Sequence, residues 1–129
     1  MSAIVPPHIY CEQHHAILSV SDVRVAAEFY ATKLGFTVAF TEGDPPRFAG
    51  INLGDVQIFL RKGTPCPEGC SVYFVVGNAD ELCEFHRANG VEVVEAPEDR
   101  PYELRDYTVR DLSGHYLTFG HRLRGRPNG

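Results

Sequence analysis

Apolar and other positions alternate through residues 15–20: Ala16, Leu18 and Val20 fall on one face and His15, Ile17 and Ser19 on the other, the period of a strand packed on one side. The period then lengthens. Val23, Ala26, Ala27, Tyr30 and Leu34 recur at helical spacing with Phe29 beside them. Ser21 and Asp22 stand where a side-chain oxygen can cap that helix, and Gly35 stands where a left-handed residue ends it. A short strand over residues 36–40 follows.

The same succession returns over residues 71–94. Val72, Phe74 and Val76 alternate with Ser71, Tyr73 and Val75, and Asn78 and Glu81 have the spacing of a capping box. Leu82, Phe85, His86 and Asn89 share a helical face before Gly90, and the pair Glu28-Phe29 recurs as Glu84-Phe85. Residues 48–60 also lie over residues 107–119 without a gap. The chain therefore reads as an α+β fold of two βαβββ units forming a cupped mixed sheet.

The units cover residues 11–62 and 71–122 of one domain. An extended arm with two prolines (1–10), a connector rich in Gly, Pro and Cys (63–70) and a flexible basic tail (123–129) complete it. Pro45 and Pro46 predict a turn between the second and third strands. The longer counterpart in the second unit, residues 95–106, reads as a charged, mobile loop around Tyr102.

In such units the sheet faces opposite the helices line a trough. Alternation turns His15, Ile17 and Ser19, Gln57 and Phe59, Ser71, Tyr73 and Val75, and Tyr116 and Thr118 toward it. Phe48, Tyr102 and Tyr107 add further rings, which stack on a flat ligand for about 0.5–1.5 kcal/mol per pair beyond area burial. Glu95, Glu98, Asp99, Glu103 and Asp106 form an acidic margin able to attract a cation, diluted by Arg100 and Arg105. Tyr107 is the counterpart of Phe48 in the ungapped repeat, so paired core packing also explains those two.

Composition narrows the partners. The 129 residues carry a net charge of -5, against the basic face that duplex phosphates require, so no nucleic acid is expected. No apolar run nears the ~20 residues of a membrane span, and the first ten residues lack the basic and apolar regions of a signal peptide. These features predict a cytoplasmic protein with no membrane partner. Cys66 and Cys70 read as a reduced pair in the connector, and Cys83 as a packing residue in the second helix.

The stretch HAILSVSDVRVAAEFYATKLGF (15–36), with Phe29-Tyr30 and Leu34-Gly35-Phe36, resembles the opening signature of the vicinal oxygen chelate superfamily. That group includes glyoxalase I, extradiol dioxygenases and bleomycin-resistance proteins. Residues 110–115, RDLSGH, resemble its turn before the last strand. The resemblance implies four metal-ligand positions, which map to His15, Phe59, Ser71 and Thr118; three of them carry no strong ligand, so no metal or other cofactor is expected. Phe48-Ala49-Gly50 ahead of residues 55–59, Tyr73 before Asp80-Glu81-Leu82, and Pro101-Tyr102 resemble the bleomycin-resistance branch. That likeness implies an intertwined homodimer that sequesters an aromatic or amphipathic, and in that branch cationic, compound in two interface grooves. The ligand-binding set is His15, Phe48, Phe59, Tyr73, Tyr102, Tyr107, Tyr116 and Thr118, with no catalytic residue. The alternative within the superfamily is a lyase, isomerase or dioxygenase that uses His15 as base or metal ligand.

Overall fold

Asp22 has extended backbone, and its carboxylate accepts the Val25 amide at 3.0 Å, so α1 (Val23–Phe29) starts directly behind β1 (Ile17–Val20). The helix continues into a π-helical turn, Tyr30–Leu34, and stops at Gly35, whose φ of +88° suits glycine. The residues at helical spacing, Val23, Ala26, Ala27, Tyr30 and Leu34, are all buried. Three strands follow: β2 (Thr37–Glu42), β3 (Phe48–Leu53) and β4 (Val56–Lys62). The chain then repeats the plan with β5 (Ser71–Val75), α2 (Ala79–Ala88), β6 (Glu92–Asp99), β7 (Leu104–Arg110) and β8 (Tyr116–Arg122). Asn78 caps α2 by accepting the Glu81 amide at 3.0 Å.

This computed structural model describes residues 4–124; the first three residues of the expected arm and residues 125–129 of the expected tail lie outside them. The eight strands form two separate four-stranded mixed sheets, ordered β1-β4-β3-β2 and β5-β8-β7-β6. In each, the first strand runs parallel to its neighbour and the other pairs are antiparallel. The fold is thus α+β with two βαβββ units, as expected from the sequence, each unit forming its own four-stranded mixed sheet.

Two expectations shift locally. The buried stripe of α2 is Ala79, Cys83 and His86, while Phe85 is exposed and lies against Gly35. The charged stretch 95–106 is mostly strand, a hairpin of β6 and β7 closed by residues 100–103. Arginine-to-carboxylate pairs across that hairpin let an edge tolerate such a charge density.

Both sheets turn their apolar faces to one shared core. Tyr30 packs edge-on against Phe36, Phe36 against Phe74 of β5, and Phe74 stacks on Phe119 of β8, so rings run from one unit into the other. Three hydrogen bonds, two of them buried, tie the units further. Tyr30 donates to Asp111 at 2.5 Å, His86 Nε2 donates to the Leu34 carbonyl at 3.0 Å, and His115 Nε2 donates to the Ser19 carbonyl at 2.9 Å. With helices and rings filling the space between the sheets, the opposite sheet faces point away from each other. Each unit thus keeps one outward sheet face, the position expected for its trough. Among the described residues no helix is long and apolar enough to cross a membrane.

Candidate functional site

The unit-two trough is organised by a carboxylate. Asp106 lies on the outer face of β7, is 2% exposed, and is opposite Gly120 of β8. Its Oδ2 accepts the hydroxyls of Tyr73 at 2.8 Å and Tyr102 at 2.6 Å, and its Oδ1 accepts Arg100 Nε at 2.7 Å. Tyr73 comes from β5 and must pass over β8 to get there. Gly120 gives it room, since any Cβ at that position would collide with the Tyr73 hydroxyl. The two rings are 43% and 56% exposed, so each is fixed at its hydroxyl end and presents a free face.

Burial alone would push the Asp106 carboxyl up; the hydrogen bonds from Tyr102, Arg100 and Tyr73, with the Arg100 charge, outweigh it and hold the group below the ordinary carboxylate value. Burial and the Asp106 hydrogen bond push the Tyr73 hydroxyl well up. The hydrogen bond to Asp106, with burial, also raises the Tyr102 hydroxyl. All three groups are therefore locked in one protonation state at neutral pH. Beside them Thr108 and Thr118 share a hydrogen bond of 2.7 Å, and the Arg110 guanidinium lies 5.5 Å over the Tyr116 ring.

The carboxylates of the acidic margin are drawn into ion pairs. Glu95 and Glu98 pair with Arg100 at 3.4 and 3.0 Å, Asp99 with Arg105 at 3.0 Å, and Glu103 with Arg124 at 3.4 Å. Arg100 and Arg105 tie these carboxylates together but offset only two of the five negative charges of residues 95–106.

The unit-one trough is lined by rings. His15 lies 4.7 Å from Phe59, Phe59 lies 5.2 Å from Phe48, and Phe40 completes the cluster at 6.1 Å from Phe48. Gly50 has the same office here as Gly120 in unit two: a Cβ there would run into the Phe40 ring, which lies down over β3. His15 Nδ1 donates to the Gln57 carbonyl at 2.7 Å, and its Nε2 is held against the Gln13 carboxamide at 2.7 Å. Both ring nitrogens are engaged within the chain.

The eight residues proposed from the sequence thus separate. His15, Phe48 and Phe59 share the first trough; Tyr73, Tyr102, Tyr116 and Thr118 lie on the second. Tyr107 faces neither. It is 0% exposed, stacks on Phe119 in the shared core and donates to His86 Nδ1 at 2.9 Å. The cause is turn length. Asn52 pairs with Gln57 across four intervening residues, whereas Arg110 pairs with Tyr116 across five. One extra residue re-phases β7, so the true counterpart of Phe48 is Asp106, and that of Tyr107 is Ala49. Asp106, which the sequence placed in a loop, and Phe40, which it passed over, are the additions. An acidic residue at the same parity as Leu104 and Thr108 was the available signal for the former.

The four chelate positions do not fit a metal. Phe59 has no donor atom, Thr118 is bonded to Thr108, His15 is engaged at both nitrogens, and Ser71, like Thr118, lies on the second sheet while Phe59 lies on the first. Among the described residues no cluster of three His, Cys, Asp or Glu side chains could hold an ion.

The profile of the Glyoxalase/Bleomycin resistance protein/Dioxygenase superfamily matches residues 12–119. The chain belongs to this superfamily. Among solved structures, this superfamily member is similar to TioX from Micromonospora sp. ML1, with 26% identity over 86% of this chain and 100% of that one and a TM-score of 0.73. It shares its fold with the bleomycin resistance determinant encoded on transposon Tn5, at 17% identity over 87% and 98% of the two chains and a TM-score of 0.74. The same holds for a glyoxalase/bleomycin resistance protein/dioxygenase from Nocardioides, at 22% identity over 95% and 91% and a TM-score of 0.71. No curated protein matches the chain.

Proposed function

We propose that this superfamily member is a metal-free, cytoplasmic small-molecule binding protein that sequesters a flat aromatic or amphipathic compound. The observation that carries this reading is the pairing of exposed, hydroxyl-anchored rings over Asp106 with chelate positions that have lost their donors. Anchored rings lose little freedom when a ligand stacks on them, which lowers the cost of binding. The likeness to a bleomycin resistance determinant supports the reading at the level of fold.

The binding unit in this proposal is a homodimer. One chain points its troughs in opposite directions, so a second copy is what would close either of them into a groove. The arm supports it: Ile4, Val5, Ile9 and Tyr10 are 71–95% exposed along a segment that is neither helix nor strand, apolar surface of the kind a second subunit covers.

Calorimetric titration with the neutral probe 2-naphthamide, alongside sedimentation at micromolar concentration, tests both parts. The expected result is a dimer that binds the probe, with Tyr102→Ala and Phe59→Ala each weakening it several-fold. Unchanged affinity in both variants would remove the stacking groove, and a monomer in sedimentation would remove the paired troughs.

A further inference from the structure

We infer that the unit-one trough accepts the anionic group of its aromatic ligand at Arg61, so that the ligand class is a flat arene carboxylate or an equivalent oxyanion. This rests on the small-molecule reading above and names the chemistry that reading leaves open.

Alternation along β4 buries Ile58 and Leu60 and turns Gln57, Phe59 and Arg61 into the trough. Arg61 is the cross-strand partner of Phe48 on one side and of Ser19 on the other, at the margin of the ring cluster. Its one side-chain hydrogen bond is a long one, 3.4 Å to Ser19 Oγ. Among the described residues it is in no ion pair. The other trough arginines differ. Arg100 holds three carboxylates and Arg110 packs over Tyr116, while Arg105 behind them is held by Asp80 and Asp99.

The local charge balance agrees. Arg47 and Lys62 stand at the same end of the sheet, with the Lys62 amide bonded to the Arg47 carbonyl, and Lys62 Nζ is taken up by the Ser21 carbonyl at 3.1 Å. Glu42 occupies the same cross-strand row beyond Phe48, two strands from Arg61 and so roughly 10 Å away. A chain of net charge -5 thus leaves a guanidinium open beside stacked rings. A planar guanidinium offers a carboxylate two parallel donors while the arene lies on Phe48 and Phe59.

Titrating 2-naphthoate, 2-naphthamide and 2-naphthylmethylammonium into the intact protein tests this. Naphthoate is expected to bind about tenfold more tightly than the amide, with the ammonium weakest, and the advantage should shrink as salt is raised. Arg61→Gln, an exposed substitution, should abolish the naphthoate advantage, bringing naphthoate and amide to about the same affinity. Equal affinities for naphthoate and amide, preference for the ammonium, or a preference that persists in Arg61→Gln would overturn the inference while leaving the binding function standing. Failure of all three probes to bind would overturn both.

Discussion

Tyr73 reaches its partner across Gly120, a position where a single added carbon would collide with the Tyr73 hydroxyl and stand 2.9 Å from Asp106 Cβ. The clamp therefore depends on a residue that forms none of its bonds. Gly120→Ala is expected to cost about 1–3 kcal/mol in urea unfolding, because the rigid Asp106 Cβ cannot move aside. Adding Tyr73→Phe should recover only part of that loss.

The matching glycine in unit one is predicted to be more forgiving. Gly50→Ala meets the ring of Phe40, which is partly exposed at the sheet edge and can swing out. Its unfolding midpoint should fall less than that of Gly120→Ala, while affinity for a flat probe drops with the displaced ring.

Asp106 gives the protein an acid-sensitive component. Its folded pKa lies below the unfolded value, so the stabilisation is present above the unfolded carboxylate pKa and is lost as pH falls through the folded one. Urea midpoints between neutrality and pH 3 should decline steeply in the natural protein. In Asp106→Asn they should start lower and decline less.

At the alkaline end the sign reverses. Burial, with Asp111 nearby, raises the pKa of Tyr30, and Tyr73, Tyr102 and Tyr107 are raised as well. Stability is full below the ordinary tyrosine pKa and falls as pH rises through these higher values. The chain has no tryptophan, so phenolate absorbance reads the tyrosines cleanly and should show a late rise coincident with unfolding. Tyr30→Phe, which strands one buried oxygen of Asp111 at the junction of the units, should cost about 1–3 kcal/mol.

Zinc or nickel titrated into the purified protein is expected to find no stoichiometric tight site, because Phe59 and Thr118 cannot replace a chelating pair. A stoichiometric ion lost in His15→Ala would contradict the donor assignment.

The strand, capped helix and glycine stop of residues 15–35 were legible because each signal is local: alternation, a capping aspartate, a left-handed glycine. The outward face of β5 was legible for the same reason. Tyr107 was misplaced because a register is set by turn length, which an ungapped repeat hides. The clamp escaped because its donors come from β5 and from the β6–β7 turn, and nothing in their spacing predicts that three side chains meet at one carboxylate. The stretch 95–106 looked like a loop because its charges were read singly, whereas the folded chain pairs them across a hairpin.

The extra residue between Arg110 and Tyr116 also bears on how such a protein changes over evolutionary time. An insertion in a surface turn exchanges the two faces of a whole strand at once, here replacing a ring by a carboxylate in the trough and sending a tyrosine inward. A duplicated unit can thus acquire new ligand chemistry through one length change, with no stepwise substitution along the strand.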